Sequence, residues 1–491
     1  MARAGKQRRS ASNGAGGWGG DFGRRASGGS RALAYNPGVP ETSSFTDGAA
    51  TVSRPGADRC PGVLRLAEAA DGFLARVRLP GGLVSGPQLR VLARLAAELG
   101  DGRAELTSRG NVQLRGLSRD AAGPLSSALE RAGLLPSLTH DRARNVLASP
   151  LAGLDAGADL TGVIRALDAG LCARPRLAEL SGRFLFALDD GRGDVTGLGA
   201  DVTAVVRPGG AVVHGLRVSS PGGTAAAGHL ASAAGPQPAA PQPGAPQPAS
   251  SGGLPPDLAP AVAAVMLGCA ETFLGLLAES GDASAHRAWR IADLPRGAER
   301  VRTAVAAQFG LAQAEGQPPG PEPASSVTAS ATRTRPAGLV AAQRNGGEPE
   351  SAAPVRNDPE GSAVLIAPLG RLASAELTWL ADQLGEQHAR ITPWRSVVLP
   401  RLADPARVLR EAAGLGFGTD DQAPWLRVTA CAGRPGCASA LADVQADAAG
   451  FAARWPGRLV HVAGCARHCG RPAATEIDVT ATSEGYQVAG V

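Results

Sequence analysis

Four cysteines near the C-terminal end of the chain, Cys431 and Cys437 in CAGRPGC and Cys465 and Cys469 in CARHC, form two spaced pairs of thiols. Thiolates are soft donors, and four in one short stretch can hold a single metal centre. The intervals, C-x5-C and C-x3-C, are wider than the C-x2-C of zinc ribbons, whereas iron–sulfur cubanes are held by four cysteine thiolates. Gly433, Gly436, Gly464 and Gly470 let the backbone approach sulfur closely, and Arg434, Arg467 and His468 set donors and positive charge beside an anionic cluster. Cys431, Cys437, Cys465 and Cys469 are thus the expected ligands of one [4Fe–4S] cluster. Spacing alone leaves a structural zinc or unligated buried thiols as alternatives.

Bulk properties point to a large soluble protein. Its 491 residues would support about three domains of roughly 150 each, and a 44% apolar composition suffices for packed cores. Seven cysteines, an odd and sparse number, argue against a disulfide scaffold and for a reducing compartment; Cys60, Cys172 and Cys269 are expected to be small core residues. The N-terminal MARAGKQRRSASNGAGG is basic but lacks the apolar stretch of a signal peptide. The most membrane-like run, Leu258 to Ala278, carries Pro260 near its start and Glu271 in its middle, so a buried helix is expected there and no membrane association. A cytoplasmic location follows. The formal charge of +5 is too small to imply nucleic acid.

Composition also divides the chain. Residues 1–57 are Gly/Ser/Arg-rich, and 313–360 form a Pro/Ser/Glu/Thr-rich linker; both are expected to be disordered. Residues 220–256, which include PQPAAPQPGAPQP, read as a low-complexity insertion. Ordered matter is expected at 58–135, at 136–312 around that insertion, at 361–424 and at 425–491. LPGGLVSGPQLRVLARLAAELGDGRAELTSRGNVQLRGL, from Leu79 to Leu117, resembles APLGRLASAELTWLADQLGEQHARITPWRSVVLPRL, from Ala367 to Leu402. Each copy runs from a Pro/Gly turn to an amphipathic helix, with Leu89, Leu92 and Leu99 or Leu377, Leu380 and Leu384, and then to a strand entering at Thr107 or Thr392. Val112 and Leu114 match Val397 and Leu399 in the strand that follows. A duplicated α+β module predicts a pseudo-two-fold body with a site between its halves.

Repeated α+β halves together with C-x5-C and C-x3-C resemble the siroheme-dependent nitrite and sulfite reductase superfamily. LTSRGNVQLRG at Leu106–Gly116 is similar to that family's threonine–arginine–glutamine strand, ARNVLASPLAGLD at Ala143–Asp155 to its arginine–asparagine–valine segment, and GRFLFALDD at Gly182–Asp190 to its basic–Phe–basic segment. The resemblance implies duplicated ferredoxin-like half-domains, each followed by a nitrite/sulfite reductase-type α+β domain, the second shortened and cluster-binding. Within the superfamily, CPGVLRLAEAADGFLARVRLPGG at Cys60–Gly82, RFLFALDDGRGDV and TPWRSVVL resemble the precorrin-3B synthase branch of aerobic cobalamin biosynthesis. That likeness implies hydroxylation of a precorrin-3A-like tetrapyrrole with closure of a ring A lactone. The implied partners are dioxygen and a separate electron-donor protein, a ferredoxin or a reductase, with NADH as the indirect electron source.

Carried onto this chain, the resemblance puts the tetrapyrrole where siroheme lies in the reductases, with Arg109, Arg144 and Arg183 meeting its carboxylates or reacting edge. Arginine forks suit carboxylates. Arg115, Arg142 and Asn145 are second-rank candidates, and Cys469 matches the cysteine that bridges cluster and haem iron in siroheme enzymes. Leu185 stands where the reductases have a second basic residue, which favours an oxygenase over an oxyanion reductase; siroheme is the secondary cofactor expectation. The resemblance leaves room for an additional non-haem iron, but no compact two-histidine, one-carboxylate signature is present in the sequence. Asp189 and Asp190 are expected to cap a hairpin turn. No dinucleotide fingerprint, P-loop or nucleophile elbow occurs. A siroheme nitrite or sulfite reductase and a non-catalytic metal-binding scaffold are the competing functions.

Overall fold

The computed structural model describes residues 58, 60–155, 157–219, 254–279, 288–314, 338–340 (backbone only), 361–472 and 474–490. The segments expected to be disordered at 1–57 and 313–360, and the insertion at 220–256, fall almost wholly outside these residues. The exceptions are residues 254–256 and 313–314 at the edges and Gly338–Val340, a strand inside the supposed linker.

The first half runs β1 (Ala67–Ala69), β2 (Gly72–Val77), β3 (Leu83–Ser85), α1 (Gly86–Leu99), β4 (Arg103–Leu106), β5 (Val112–Leu117) and α2 (Ala122–Arg131). Ser85 opens α1 with a reciprocal cap: its hydroxyl accepts from Gln88 N, and the Gln88 side chain accepts from Ser85 N. The first α+β domain follows with β6 (Val146–Ala148), α3 (Thr161–Cys172), β7 (Phe186–Asp189), β8 (Val202–Arg207), β9 (Gly210–Val213), β10 (Leu216–Val218), α4 (Leu258–Glu279) and α5 (Gly297–Phe309). The second half repeats the first with β11 (Gly338–Val340), β12 (Gly361–Ile366), β13 (Arg371–Ala373), α6 (Ser374–Asp382), β14 (His388–Ile391), β15 (Ser396–Leu402) and α7 (Pro405–Gly414). The second α+β domain holds β16 (Val428–Ala430), α8 (Val444–Arg454), β17 (Val460–Ala463), β18 (Ile477–Thr482) and β19 (Gly485–Ala489).

The halves are not separable, because each lends a strand to the other. The first sheet has the order β1-β2-β5-β4-β13 and the second β11-β12-β15-β14-β3. Leu83, Val84 and Ser85 pair with Arg390, Ala389 and His388, while Arg371, Leu372 and Ala373 pair with Glu105, Ala104 and Arg103. One hydrophobic core serves both, with Leu89 and Leu92 of α1 and Leu377 and Leu380 of α6 in the same cluster. The repeat extends to the turns. Thr107 and Thr392 do not enter strands as expected but hold the hairpins: Thr107 Oγ1 accepts from Arg109 N and Asn111 N, and Thr392 Oγ1 from Trp394 N and Ser396 N.

The two α+β domains share a topology as well. Strands β6, β7 and β8 are parallel with β9 antiparallel beside them, and β16, β17, β18 and β19 repeat that order and those directions. Among the described residues only α4 is long and apolar enough to cross a membrane. It is instead the central core helix of the first domain, with Val262, Met266, Cys269 and Phe273 buried and Phe273 against Phe184 at 5.4 Å between ring centroids. Cys269 is the small core residue expected, but Cys60 and Cys172 are only half-buried.

The strand exchange depends on a close backbone approach at Gly82. Its φ is +70°, and a Cβ there would lie 2.1 Å from the Ile391 carbonyl oxygen of the other half. Gly82→Ala should therefore lower stability in urea denaturation by about 1–3 kcal/mol from the backbone conformation alone, and by more if the two strands separate.

Candidate functional site

Both cysteine pairs leave the same end of one sheet. Cys431 directly follows β16 and Cys465 lies one residue beyond Gly464, which directly follows the neighbouring parallel strand β17. Parallel strands deliver their following loops to one edge, so residues 34 apart in sequence meet there. The loops are tied together: Leu441 N donates to Gly464 O at 2.8 Å, and Gly464 N donates to the Cys431 sulfur at 3.1 Å. Cys431, Cys437 and Cys465 are half-buried and Cys469 is exposed. No three of the four sulfurs lie within 4.8 Å of one another. Four thiols on two tied loops are a donor set for one zinc or one iron–sulfur cluster, and the wide C-x5-C and C-x3-C intervals are what favour the cluster. The backbone N–H on Cys431 is the kind of donor that stabilises a cluster thiolate.

The first α+β domain carries the counterpart without cysteines. Ser149 follows β6 as Cys431 follows β16, and its hydroxyl accepts from Asp190 N at 3.2 Å, as the Cys431 sulfur accepts from Gly464 N. Ser149 Oγ in turn donates to Asp194 Oδ1 at 2.5 Å, and Arg192 bridges Asp190 and Asp155. Burial and the neighbouring Asp189 push the Asp194 carboxyl up to about 7. Asp189 accepts from Gly191 N, Gly193 N and Val195 N, which fixes the loop after β7. It caps a parallel crossover and not the hairpin expected, because β8 runs parallel to β7.

The asymmetry between the halves singles out one face of the first sheet. Alternation along β2 and β5 turns Ala75, Val77, Val112 and Leu114 into the helix-covered core and Arg76, Gln113 and Arg115 to the other side. Arg76 Nη2 donates to Gln113 Oε1 at 2.8 Å, Gln113 Nε2 donates to Glu105 at 2.9 Å, and Arg115 donates to Asp71 and to Gly436 O of the cysteine loop. Polar side chains thus run from the cysteine loop to Arg76. Val364 and Val398 occupy the matching pair in the second half and are covered by Leu151 from the loop after β6. One of two equivalent faces is polar, and the other is filled with apolar side chains.

At the end of the polar face stand cations that lack partners. Arg78 is 1% exposed; its Nη2 donates to Pro61 O, but Nε and Nη1 have no hydrogen-bond partner, and neither has Arg76 Nε. Burial, with Arg76 nearby, pushes the Arg78 guanidinium down to about 9. Arg109 donates to Gly182 O at 3.0 Å and is likewise pulled down by burial and by the charges of Arg290 and Arg76. Desolvated guanidiniums with unmet donors are costly, and an anion placed among them would meet those donors. Arg76 and Arg78 were missed by sequence reasoning; the signal was their alternation with core residues in FLARVRLPGG.

The structure brings only some of the expected substrate residues to this place. Arg109 is there, and exposed Arg183 adjoins it after Gly182, its guanidinium without a partner among the described residues. Arg144 is not available: it is buried, donates twice to Asp168 at 2.7 and 2.8 Å and once to Leu134 O, and so clamps helix α3. Arg115 is spent on Asp71 and Gly436, and Arg142 on Asp58. Asn145 donates to Gly182 O and accepts from Asn111, positioning the same carbonyl that receives Arg109. Leu185 is buried among Leu147, Ala187 and Val195, so no charge is brought there.

Two outcomes follow from these placements. Each single Cys→Ser change at 431, 437, 465 or 469 should lower bound iron and abolish the reducible visible spectrum; a variant with full iron content is not at a ligand. Arg144→Ala should destabilise the protein by about 3 kcal/mol or more in chemical denaturation, because it leaves Asp168 without its buried partner, and should change ligand affinity little.

Comparisons with known proteins agree with this architecture. Residues 66–132 match the nitrite/sulfite reductase ferredoxin-like half domain. The chain is 26% identical over 453 residues to a precorrin-3B synthase of Sinorhizobium sp, covering 90% of this chain and 84% of that protein. A ferredoxin–nitrite reductase of Leptolyngbya laminosa is 38% identical over 97 residues, only 19% of either chain. The solved NirA protein of Mycobacterium tuberculosis has the same fold, with a TM-score of 0.58 at 18% identity, covering 85% of this chain and 74% of that one. Duplicated half-domains with exchanged strands, two matching α+β domains, a matching ferredoxin-like half domain and a likeness to precorrin-3B synthase along most of the length agree with the resemblance to the nitrite/sulfite reductase superfamily.

Proposed function

We propose that the protein is a precorrin-3B synthase-type monooxygenase of the cytoplasm acting on a precorrin-3A-like tetrapyrrole. The observation that carries this is the buried guanidinium edge at Arg76, Arg78 and Arg109, in a chain that resembles precorrin-3B synthase over 90% of its length. A precorrin is a flat macrocycle edged with acetates and propionates, and unmet guanidinium donors at one end of a sheet face suit such carboxylates. Arg183 supplies a further cation at the rim. Arg144, Arg142 and Asn145 act one step back, by holding the 143–145 and 182 segments in place. Leu185, buried and neutral, leaves the site less cationic than capture of nitrite or sulfite would need.

In the proposed reaction one oxygen atom of dioxygen enters the macrocycle as a hydroxyl at a meso carbon, and the other leaves as water. The two electrons come from a separate ferredoxin or reductase, ultimately NADH, and the ring A acetate then closes the lactone without further net oxidation. A [4Fe–4S] cluster held by Cys431, Cys437, Cys465 and Cys469 would supply single-electron transfer beside the substrate. The arginines bind and orient the carboxylate edge, which fixes the meso position and the attacking acetate relative to one another.

Anaerobic purification with visible spectroscopy tests the cofactor: a broad cluster shoulder without Soret bands is expected. Strong Soret-type and red bands would overturn it in favour of a siroheme reductase, and an iron-free, colourless protein in favour of a scaffold. Substrate recognition is testable with uroporphyrin III, a stable polycarboxylate tetrapyrrole. Arg78→Met should weaken its binding by about 1.5–3 kcal/mol, the size of a charge-assisted hydrogen bond, while raising the melting temperature of the ligand-free protein by removing a buried unpaired cation.

A further inference from the structure

Arg395 stands where the first half has Gly110. The two turns superimpose hydrogen bond for hydrogen bond: Gly110 N donates to Thr107 O, and Arg395 N to Thr392 O. Gly110 has φ of +64°, and Arg395 takes φ of +58°, in the left-handed region that a β-carbon disfavours. Its stem passes over Gly370, where a Cβ would lie 2.6 Å from the Arg395 Cδ, so the turn at 368–370 is shaped to admit this side chain. The side chain is half-buried, burial pulls its guanidinium down from the usual range, and it makes no hydrogen bond or ion pair among the described residues. A strained backbone carrying a half-buried cation with no partner among the described residues is a costly arrangement, and an anion from outside the fold would offset it.

A second unmet group lies within reach of its charge. His461 in β17 is 0% exposed, its Nδ1 lies 2.9 Å from Thr429 Oγ1, and its Nε2 has no partner. Thr429 belongs to β16, against which the 368–370 turn packs through Leu369. Burial, with the charges of His468, Arg471 and Arg395, holds the imidazole neutral, down to about 4; Nε2 carries the hydrogen in the tautomer in which Thr429 donates to Nδ1 and not to Val460 O. The acid whose charge acts on Arg395 is Glu105 on the polar face of the first sheet, already held by Gln113 and flanked by Arg115 and Arg371. Arg395 therefore lies between that face and the domain bearing the cysteines.

We infer that Arg395 and His461 form a second carboxylate-binding subsite, which receives an acidic side arm of the tetrapyrrole on the cysteine-domain side, opposite Arg76, Arg78 and Arg109. The inference rests on the tetrapyrrole reading. Two separated anchors on one flat ligand would fix its rotation within the site, which a single cationic edge cannot do.

The test is uroporphyrin III binding, followed by fluorescence quenching, to the full-length iron-loaded protein. Arg395→Gly should keep its iron, melt at the same or a higher temperature because glycine suits the left-handed turn, and bind the porphyrin about tenfold or more weakly. Arg395→Lys should recover part of the loss. His461→Asn should weaken binding less and add little in the Arg395→Gly background, since the two groups share one carboxylate. Parental affinity in Arg395→Gly while Arg78→Met binds weakly would sink the subsite and leave the tetrapyrrole reading standing. Parental affinity in both would sink the two together. Loss of iron or a lower melting temperature in Arg395→Gly, with Arg395→Lys matching the parent in affinity, would make Arg395 structural and overturn the subsite.

Discussion

Everything in this fold depends on the reciprocal loan of β3 and β13 between the halves. A two-strand exchange stitches two sheets with backbone hydrogen bonds and forces both helical layers into one core. Neither half can then be stabilised alone, because removing the partner strand would expose an unpaired sheet edge. The exchange also sets the positions of the α+β domains. The cysteine loop of the second meets the open face of the first sheet through Gly436 and Arg115, and the 149–155 loop of the first meets the second sheet through Leu151 and through Pro150 O and Ala152 O, which accept from Arg390.

On this symmetric frame the two faces have diverged completely in chemistry. Arg76 and Gln113 face each other across β2 and β5, where Val364 and Val398 face each other across β12 and β15. The apolar pair needs only Leu151 to be satisfied. The polar pair sits in an interior that makes charge expensive, and it remains polar because hydrogen bonds link it to Glu105 and onward to Arg115. Ser149 and Cys431 differ in the same way: identical backbone positions and identical N–H donors, but hydroxyl chemistry in one loop and thiol chemistry in the other.

The cost of the site is visible as unmet donors. Among the described residues the unpartnered buried side-chain nitrogens include those of Arg76 and Arg78 beside the first sheet and His461 in the cysteine domain, with others at Arg302, Arg371 and His468. A fold selected for stability alone would replace such groups with apolar ones, as the second half has done at Val364.

The amino-acid sequence by itself determined the duplication, the helix and strand order of each half and the four thiols, because these are written in local periodicity and spacing: Leu89 and Leu92 against Leu377 and Leu380, Val112 and Leu114 against Val397 and Leu399. It also marked Arg109 and the Gly182 segment through the family's motif. Which arginines are free was decided only by tertiary structure. Arg144 looks like Arg78 in a linear string, yet Asp168, 24 residues away on helix α3, neutralises one, and no acid among the described residues pairs with the other. The strand exchange and the filling of one face by Leu151 were equally illegible, since they turn on hydrogen bonds and contacts between residues hundreds of positions apart, and a chain's local pattern carries no term for them.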